Sequence, residues 1–254
     1  FNEEKINYLI KLLEKNIDFE WGKFKLNILK DFSNLELKQR ITHICINLEK
    51  ILPNNYPKSL KILLKSLPTE LDNSKSDDDF WDFILAPFWE FIIRNWLSQE
   101  YLEISLNWIY EITKRFSMEF YIRKFINYFP EETMKFLEKC SKDKNYHVRR
   151  LATEWTRPKL PWAEKININY IQTQKILDNL YYDKTRYVTR SVANHLNDIS
   201  KIDEGYVINK LYEWKKSNLQ NQKELDFIIK HSLRTLLKKW NTKALELIGI
   251  KEIK

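Results

Sequence analysis

At 254 residues, with 43% hydrophobic and 31% charged side chains, the chain is long enough to bury a continuous core, and its composition is ordinary for a water-soluble globular protein. Only three glycines and seven prolines stand among abundant Leu, Ile, Lys and Glu, too few turn residues for many short strands, so an all-α fold is expected. Cys45 and Cys140 are isolated, which indicates neither a disulfide framework nor a zinc site, and the apolar stretch 80–97 is interrupted by Asp82, Glu90 and Arg94, unlike a membrane span.

The formal charge of +8 is uneven. Residues 1–100 hold 14 Lys+Arg against 16 Asp+Glu, whereas 101–254 hold 29 against 19. A basic C-terminal portion suits a polyanion-binding surface, although many solvated helices are also rich in lysine. With no signal peptide visible, a soluble intracellular protein is expected, as one domain or one extended repeat array.

In chain order, Ile6, Leu9, Ile10, Leu12 and Leu13 recur at helical spacing, as do Leu35, Leu37, Ile41, Ile44, Ile46 and Leu48. Pro53 and Pro57 break the second pattern, and a further helix is predicted from Lys58 to Leu67. Asp72 to Asp79 reads as a polar loop whose final carboxylates favour the start of the next helix. From Phe80 to Phe129 the chain is dense in aromatics, including Trp81, Trp89, Trp96 and Trp108, most of them expected in the core. Within that stretch Glu119 has Arg115 and Arg123 at i−4 and i+4, a spacing that reads equally well as an ordinary helical ion-pair cluster.

A period of 40 follows: Asp143, Val148 and Arg150 are answered by Asp183, Val188 and Arg190, with a looser third copy at 231–237. Helical repeats of this length are HEAT or armadillo units, which predicts an α-solenoid. Between the first two copies lies Thr156-Arg-Pro-Lys-Leu-Pro-Trp162, where Pro158 and Pro161 forbid regular helix. This connector can hold Trp162 rigidly, or Trp162 can simply plug the gap between helix pairs. In the second copy Arg190, Asn194 and Asp198 share one helical stripe, fitting either a polar groove or a surface salt-bridge row. His43, His147, His195 and His231 show no metal-ligand spacing, and no nucleophile motif or Gly-rich phosphate loop is present.

Leu35-Glu-Leu-Lys-Gln-Arg40, Ser117-Met-Glu-Phe-Tyr-Ile-Arg123, His147-Val-Arg-Arg-Leu, Thr156-Arg-Pro-Lys-Leu-Pro-Trp162 and Ser191-Val-Ala-Asn-His-Leu-Asn-Asp198 together resemble the AlkC family of DNA-3-methyladenine glycosylases, related to AlkD. His231 to Lys239 resembles that family's last helical repeat. Trp155 and Lys159 depart from its pattern, where a small residue and arginine are commoner.

The resemblance implies one HEAT-like repeat domain over 1–254, without the immunoglobulin-like domain that many members carry, and with a basic concave face for duplex DNA. It implies a monofunctional glycosylase acting on cationic alkylated bases such as 3-methyladenine and 3-methylcytosine, needing no cofactor and no metal. Its active-site residues fall on Glu119, Trp162 and Asp198, and the candidates for phosphate contacts are Arg149, Arg150, Arg157, Arg190, Arg234 and Lys238. The expected partner is double-stranded DNA containing alkylated bases, met by a monomer in the bacterial cytoplasm or nucleoid. A non-catalytic HEAT scaffold binding DNA or protein is the alternative.

Overall fold

The computed structural model describes residues 1–74, 83–95, 98–117, 121–160 and 163–250. Among the described residues it contains fourteen α-helices and short 3-10 turns, with no strand, in accord with the scarcity of turn residues. No helix among them is long and apolar enough to cross a membrane. The chain packs as two compact units, one of residues 1–71 and 79–121, the other of residues 72–78 and 122–254.

The first unit holds α1 (Glu3–Leu13), α2 (Trp21–Leu29), α3 (Leu37–Glu49), α4 (Tyr56–Lys65), α5 (Ala86–Asn95) and α6 (Leu102–Thr113). Local chemistry sets the helix starts. Asn2 and Asn55 accept from the backbone N–H of Lys5 and Lys58, both at 3.0 Å, and Glu36 and Gln39 form a reciprocal capping box on α3. Asn55 and Pro57 start α4 ahead of the predicted Lys58. Trp89 and Trp108 are buried as expected, Trp108 donating its indole N–H to the carbonyl of Leu60 at 3.2 Å; Trp81 and Trp96 lie outside the described residues. Positions 75–79, the end of the polar loop, also lie outside them.

The second unit holds α7 (Ile122–Tyr128), α8 (Pro130–Cys140), α9 (Tyr146–Trp155), α10 (Gln174–Leu180), α11 (Arg186–Ile199), α12 (Glu204–Ser217), α13 (Gln222–Lys238) and α14 (Thr242–Leu247). Helices α9, α11 and α13 lie side by side as one layer, with α8, α10 and α12 packed against them as another. The sequence period is structural: α9 starts at Tyr146 and α11 at Arg186, and Asp143 and Asp183 each accept from the backbone N–H two positions on, at 2.7 and 2.8 Å. Val148 and Val188 are both fully buried.

Consecutive repeats are tied by ion pairs. Arg149 reaches forward to Asp183, and Arg186 reaches forward to Glu224. Trp155, the bulky departure from the family pattern, is turned wholly into the core at the end of α9.

Candidate active site

Helix α11 spans Arg186–Ile199, so Arg186, Arg190, Asn194 and Asp198 follow one another a turn apart while Val188, Val192, Leu196 and Ile199 are fully buried. On one side stands α9 with Arg150 and Glu154, followed by the connector with Arg157. On the other stands α13 with Phe227, His231 and Arg234. Contacts join the three rows: the Arg150 guanidinium lies 4.7 Å over the Tyr187 ring, Ser191 donates to Glu154, and Asn194 Oδ1 accepts from His231 Nε2 at 2.9 Å and from Arg234 Nη2 at 3.1 Å.

Asp198 is the end point of a buried ionic chain. Its Oδ2 accepts from Arg157 Nε at 2.9 Å and lies 2.8 Å from Arg157 Nη2, while its Oδ1 accepts from Lys201 Nζ at 3.0 Å. Arg157 turns its Nη1 to Glu154 Oε1 at 2.5 Å, so one guanidinium bridges two carboxylates whose side chains are 7% and 4% exposed. Burial by itself would raise the Glu154 carboxyl, yet Arg150, Arg157 and the Ser191 hydroxyl hold it below the usual carboxylate range. Burial likewise opposes the charge on Arg157, but Glu154 and Asp198 more than offset it and raise its pKa. Glu154 and Arg157 are therefore held in their charged forms, and the two carboxylates are rigidly aimed by one guanidinium.

The connector is anchored from α7. Arg123, 1% exposed, donates its Nε to the carbonyl of Glu164 at 2.6 Å and its Nη1 to the carbonyls of Arg157 at 3.1 Å and Trp155 at 3.4 Å. Desolvation drags its pKa down to about 10, a cost that only several satisfied acceptors offset. Arg115, the other arginine that flanks position 119 in the sequence, binds Glu111 and the carbonyl of Pro68. Glu119 itself, and Trp162 at the end of the connector, lie outside the described residues.

The six phosphate-contact candidates separate by environment. Arg149 is engaged within the protein, by Asp183 and by the carbonyls of Asp143 and Lys144 at 2.9 and 3.0 Å. Arg157 is engaged by the two carboxylates. Arg150 and Arg190 are partly exposed on the α9 and α11 rows, Arg234 is half-buried beside Asn194, and Lys238 is exposed in the last turn of α13. The sign of this face is registered by His231, whose pKa is lowered first by burial and then by Arg234, Arg190, Arg157 and Arg186. Glu154, Arg123 and His195 were not singled out in the sequence as site residues. Glu154 had a usable signal, standing at i+4 from Arg150 and i−3 from Arg157. Arg123 had none, since its acceptors are the backbone carbonyls of Trp155, Arg157 and Glu164, far along the chain and without any side-chain signature.

His195 sits beneath this site, fully buried on α11. Its Nδ1 lies 3.0 Å from the carbonyl of Thr153, and since a carbonyl only accepts, Nδ1 carries the proton. Burial pushes its pKa from 6.5 down to about 4. The unfolded chain therefore binds a proton that the folded one rejects between those values, and stability present above pH 6.5 should fall by roughly 3 kcal/mol as the pH drops to 4. Urea unfolding of His195→Gln across that window should show a shallower decline than wild type, whatever its absolute stability; an unchanged slope would assign the decline to other groups.

No protein-family model matches the sequence. The Bacillus subtilis (strain 168) protein called "Uncharacterized protein YhaZ" is 33% identical over 254 residues, an alignment covering 98% of this chain and 67% of that protein. Among solved structures, Pseudomonas fluorescens alkylpurine DNA glycosylase AlkC, bound to DNA containing an abasic site analog, is similar with a TM-score of 0.83 and 28% identity, over 98% of this chain and 66% of that one. The chain thus spans about two thirds of the length of either relative.

Proposed function

This chain belongs to the AlkC family, and from that premise we propose that it is a DNA glycosylase, hydrolysing the N-glycosidic bond of cationic alkylated bases such as 3-methyladenine and 3-methylcytosine in double-stranded DNA. The observation that carries the reading is Asp198, a buried carboxylate held by Arg157 on the same stripe as Arg190 and Asn194. A carboxylate at that place suits the chemistry that loss of an alkylated base requires.

Alkylation at N3 gives the base a positive charge. When the C1′–N bond breaks, the electron pair goes to the base and neutralises it, so no acid is needed to protonate the leaving group. Positive charge then develops on the deoxyribose. Water adds at C1′, loses a proton, and leaves an abasic site. Asp198 stabilises the oxocarbenium-like sugar electrostatically and orients the water. Arg157 and Glu154 are positioning residues: they fix the carboxylate's rotamer before the substrate arrives, so no reorganisation is spent at the transition state. In the same proposal Glu119 is a second carboxylate and Trp162 an indole that stacks on the cationic nucleotide, a contact worth about 0.5–2 kcal/mol.

Arg150, Arg190, Arg234 and Lys238 contact phosphates, which orient the duplex without reading its sequence. Each phosphate neutralised contributes about 0.9 to the slope of log K against log salt. Arg190→Ala together with Lys238→Ala should therefore lower affinity for any duplex and flatten that slope by about 2. Salt titrations of duplex binding measure this, and an unchanged slope removes both residues from the interface.

The reaction itself is tested by incubating the protein with methylated duplex DNA and separating free bases. Release of 3-methyladenine or 3-methylcytosine with formation of abasic sites is the expected result. Tight duplex binding with no base released would overturn the enzymatic reading and leave a DNA-binding scaffold.

A further inference from the structure

Among the described non-glycine residues, two have φ in the left-handed region: Asn218 at 54° and Trp240 at 56°. Each follows the last turn of a long helix, as Gly249 does after α14 at φ 83°. At this place a residue with positive φ lets the chain leave the helix while its N–H groups satisfy the final carbonyls. After α13 the backbone does this in the ordinary way, Trp240 N–H donating to the Leu237 carbonyl at 3.1 Å and Asn241 N–H to that of Leu236 at 3.2 Å. Glycine and asparagine are the residue types that tolerate it; a tryptophan is strained there, because its Cβ crowds the backbone.

Packing does not explain the choice either. Trp240 is 78% exposed, more than any other large hydrophobic side chain among the described residues. The backbone is strained and the indole stands in solvent, so neither helix termination nor the core is served by it. Its neighbours along the chain carry charge of one sign: Lys238, Lys239 and Lys243 are all exposed, and none forms an ion pair among the described residues. Lys238 stands one helical turn beyond Arg234, on the helix that carries His231 and Arg234 beside Asn194.

We propose that Trp240, with Lys238, Lys239 and Lys243, is a second DNA-contact patch at the end of α13, where the indole stacks on a nucleotide of the duplex away from the excised base and the lysines meet its phosphates. An aromatic face among unpaired cations suits a nucleic acid, since every nucleotide offers an apolar π-face or sugar beside a negative charge. The strain at Trp240 is the cost of holding a large ring rigidly outward. This inference rests on the DNA-directed reading of the α11 and α13 face but not on catalysis there.

The test uses an unmodified duplex and two variants. Trp240→Gly removes the ring and supplies the residue the backbone prefers, so it should weaken duplex binding about tenfold, the size of one lost stack, while Tm stays at or above wild type. Trp240→Phe keeps an aromatic face and should retain most of the affinity. Wild-type affinity in Trp240→Gly would overturn the proposal and leave the exposed ring to a protein partner. A Tm that falls with the affinity would also overturn it, by making the ring structural. If Trp240→Gly weakens binding but wild type releases no base from methylated DNA, the contact patch stands and the glycosylase reading fails; the two are read independently.

Discussion

Asp198→Asn is expected to slow excision of 3-methylated bases by about 100- to 1000-fold while leaving duplex binding nearly intact. The substitution removes one negative charge and keeps the shape, so it strikes the stabilisation of a developing sugar cation and little else. A loss of that size is about 3–4 kcal/mol of transition-state stabilisation, the range found when one preorganised electrostatic partner is removed in a water-poor site. It should appear in the single-turnover rate rather than in the concentration of protein needed for saturation. Asparagine can still accept from Arg157, which retains Glu154 as a counter-ion, so the fold should survive. Single-turnover base release beside anisotropy binding measures both quantities. Unchanged excision would remove Asp198 from the mechanism, and loss of binding equal to the loss of rate would make it a DNA-contact residue instead.

Glu154→Gln should be the most destabilising single change in the site. Glu154 is shared by Arg150, Arg157 and Ser191, and losing its charge leaves two partly buried guanidinium groups short of a counter-ion. Breaking such a buried pair by removing one partner costs about 3–5 kcal/mol. The sign with pH is fixed by the direction of its shift. A carboxyl held below its ordinary pKa stabilises the fold above that ordinary value and ceases to do so as the pH falls through the lower, folded one. The gap in stability between wild type and Glu154→Gln should therefore be widest near neutrality and close on acidification below about pH 4.3. The acid loss that His195 causes is common to both proteins and cancels in the difference. Denaturant unfolding at pH 7 and at pH 3 tests it; equal stability of the two proteins at pH 7 would mean that Asp198 by itself compensates Arg157.

Features with a local cause were legible in the sequence. The paired turns at Asp143 and Asp183 follow from the same local bonds made again one period later, and the caps at Asn2, Asn55 and Asn221 are as local, although the apolar pattern puts the start of α4 only at Lys58. The α11 stripe was legible because the helical pitch puts 190, 194 and 198 in line whatever the helix packs against. The resemblance to the AlkC family was legible because motifs recur in order. Roles that depend on a distant partner were not. Arg149 and Arg157 look alike in sequence to Lys238, a basic residue on a repeat, yet the fold gives the first two to Asp183 and to the Glu154–Asp198 pair and leaves Lys238 exposed.

The amino-acid sequence by itself determined that this protein is all helical, that its C-terminal half is built on a repeat, and that its positive charge gathers there, because these follow from composition and from spacing along one helix. Only the tertiary structure decided which cations are counter-ions and which face outward, that Arg123 pins the connector, and that Trp240 is left in water at strained backbone. Burial and pairing are set by side chains on different repeats, distant in the chain and brought together only when successive helix pairs stack, and no local rule ranks one acceptor at that distance over another.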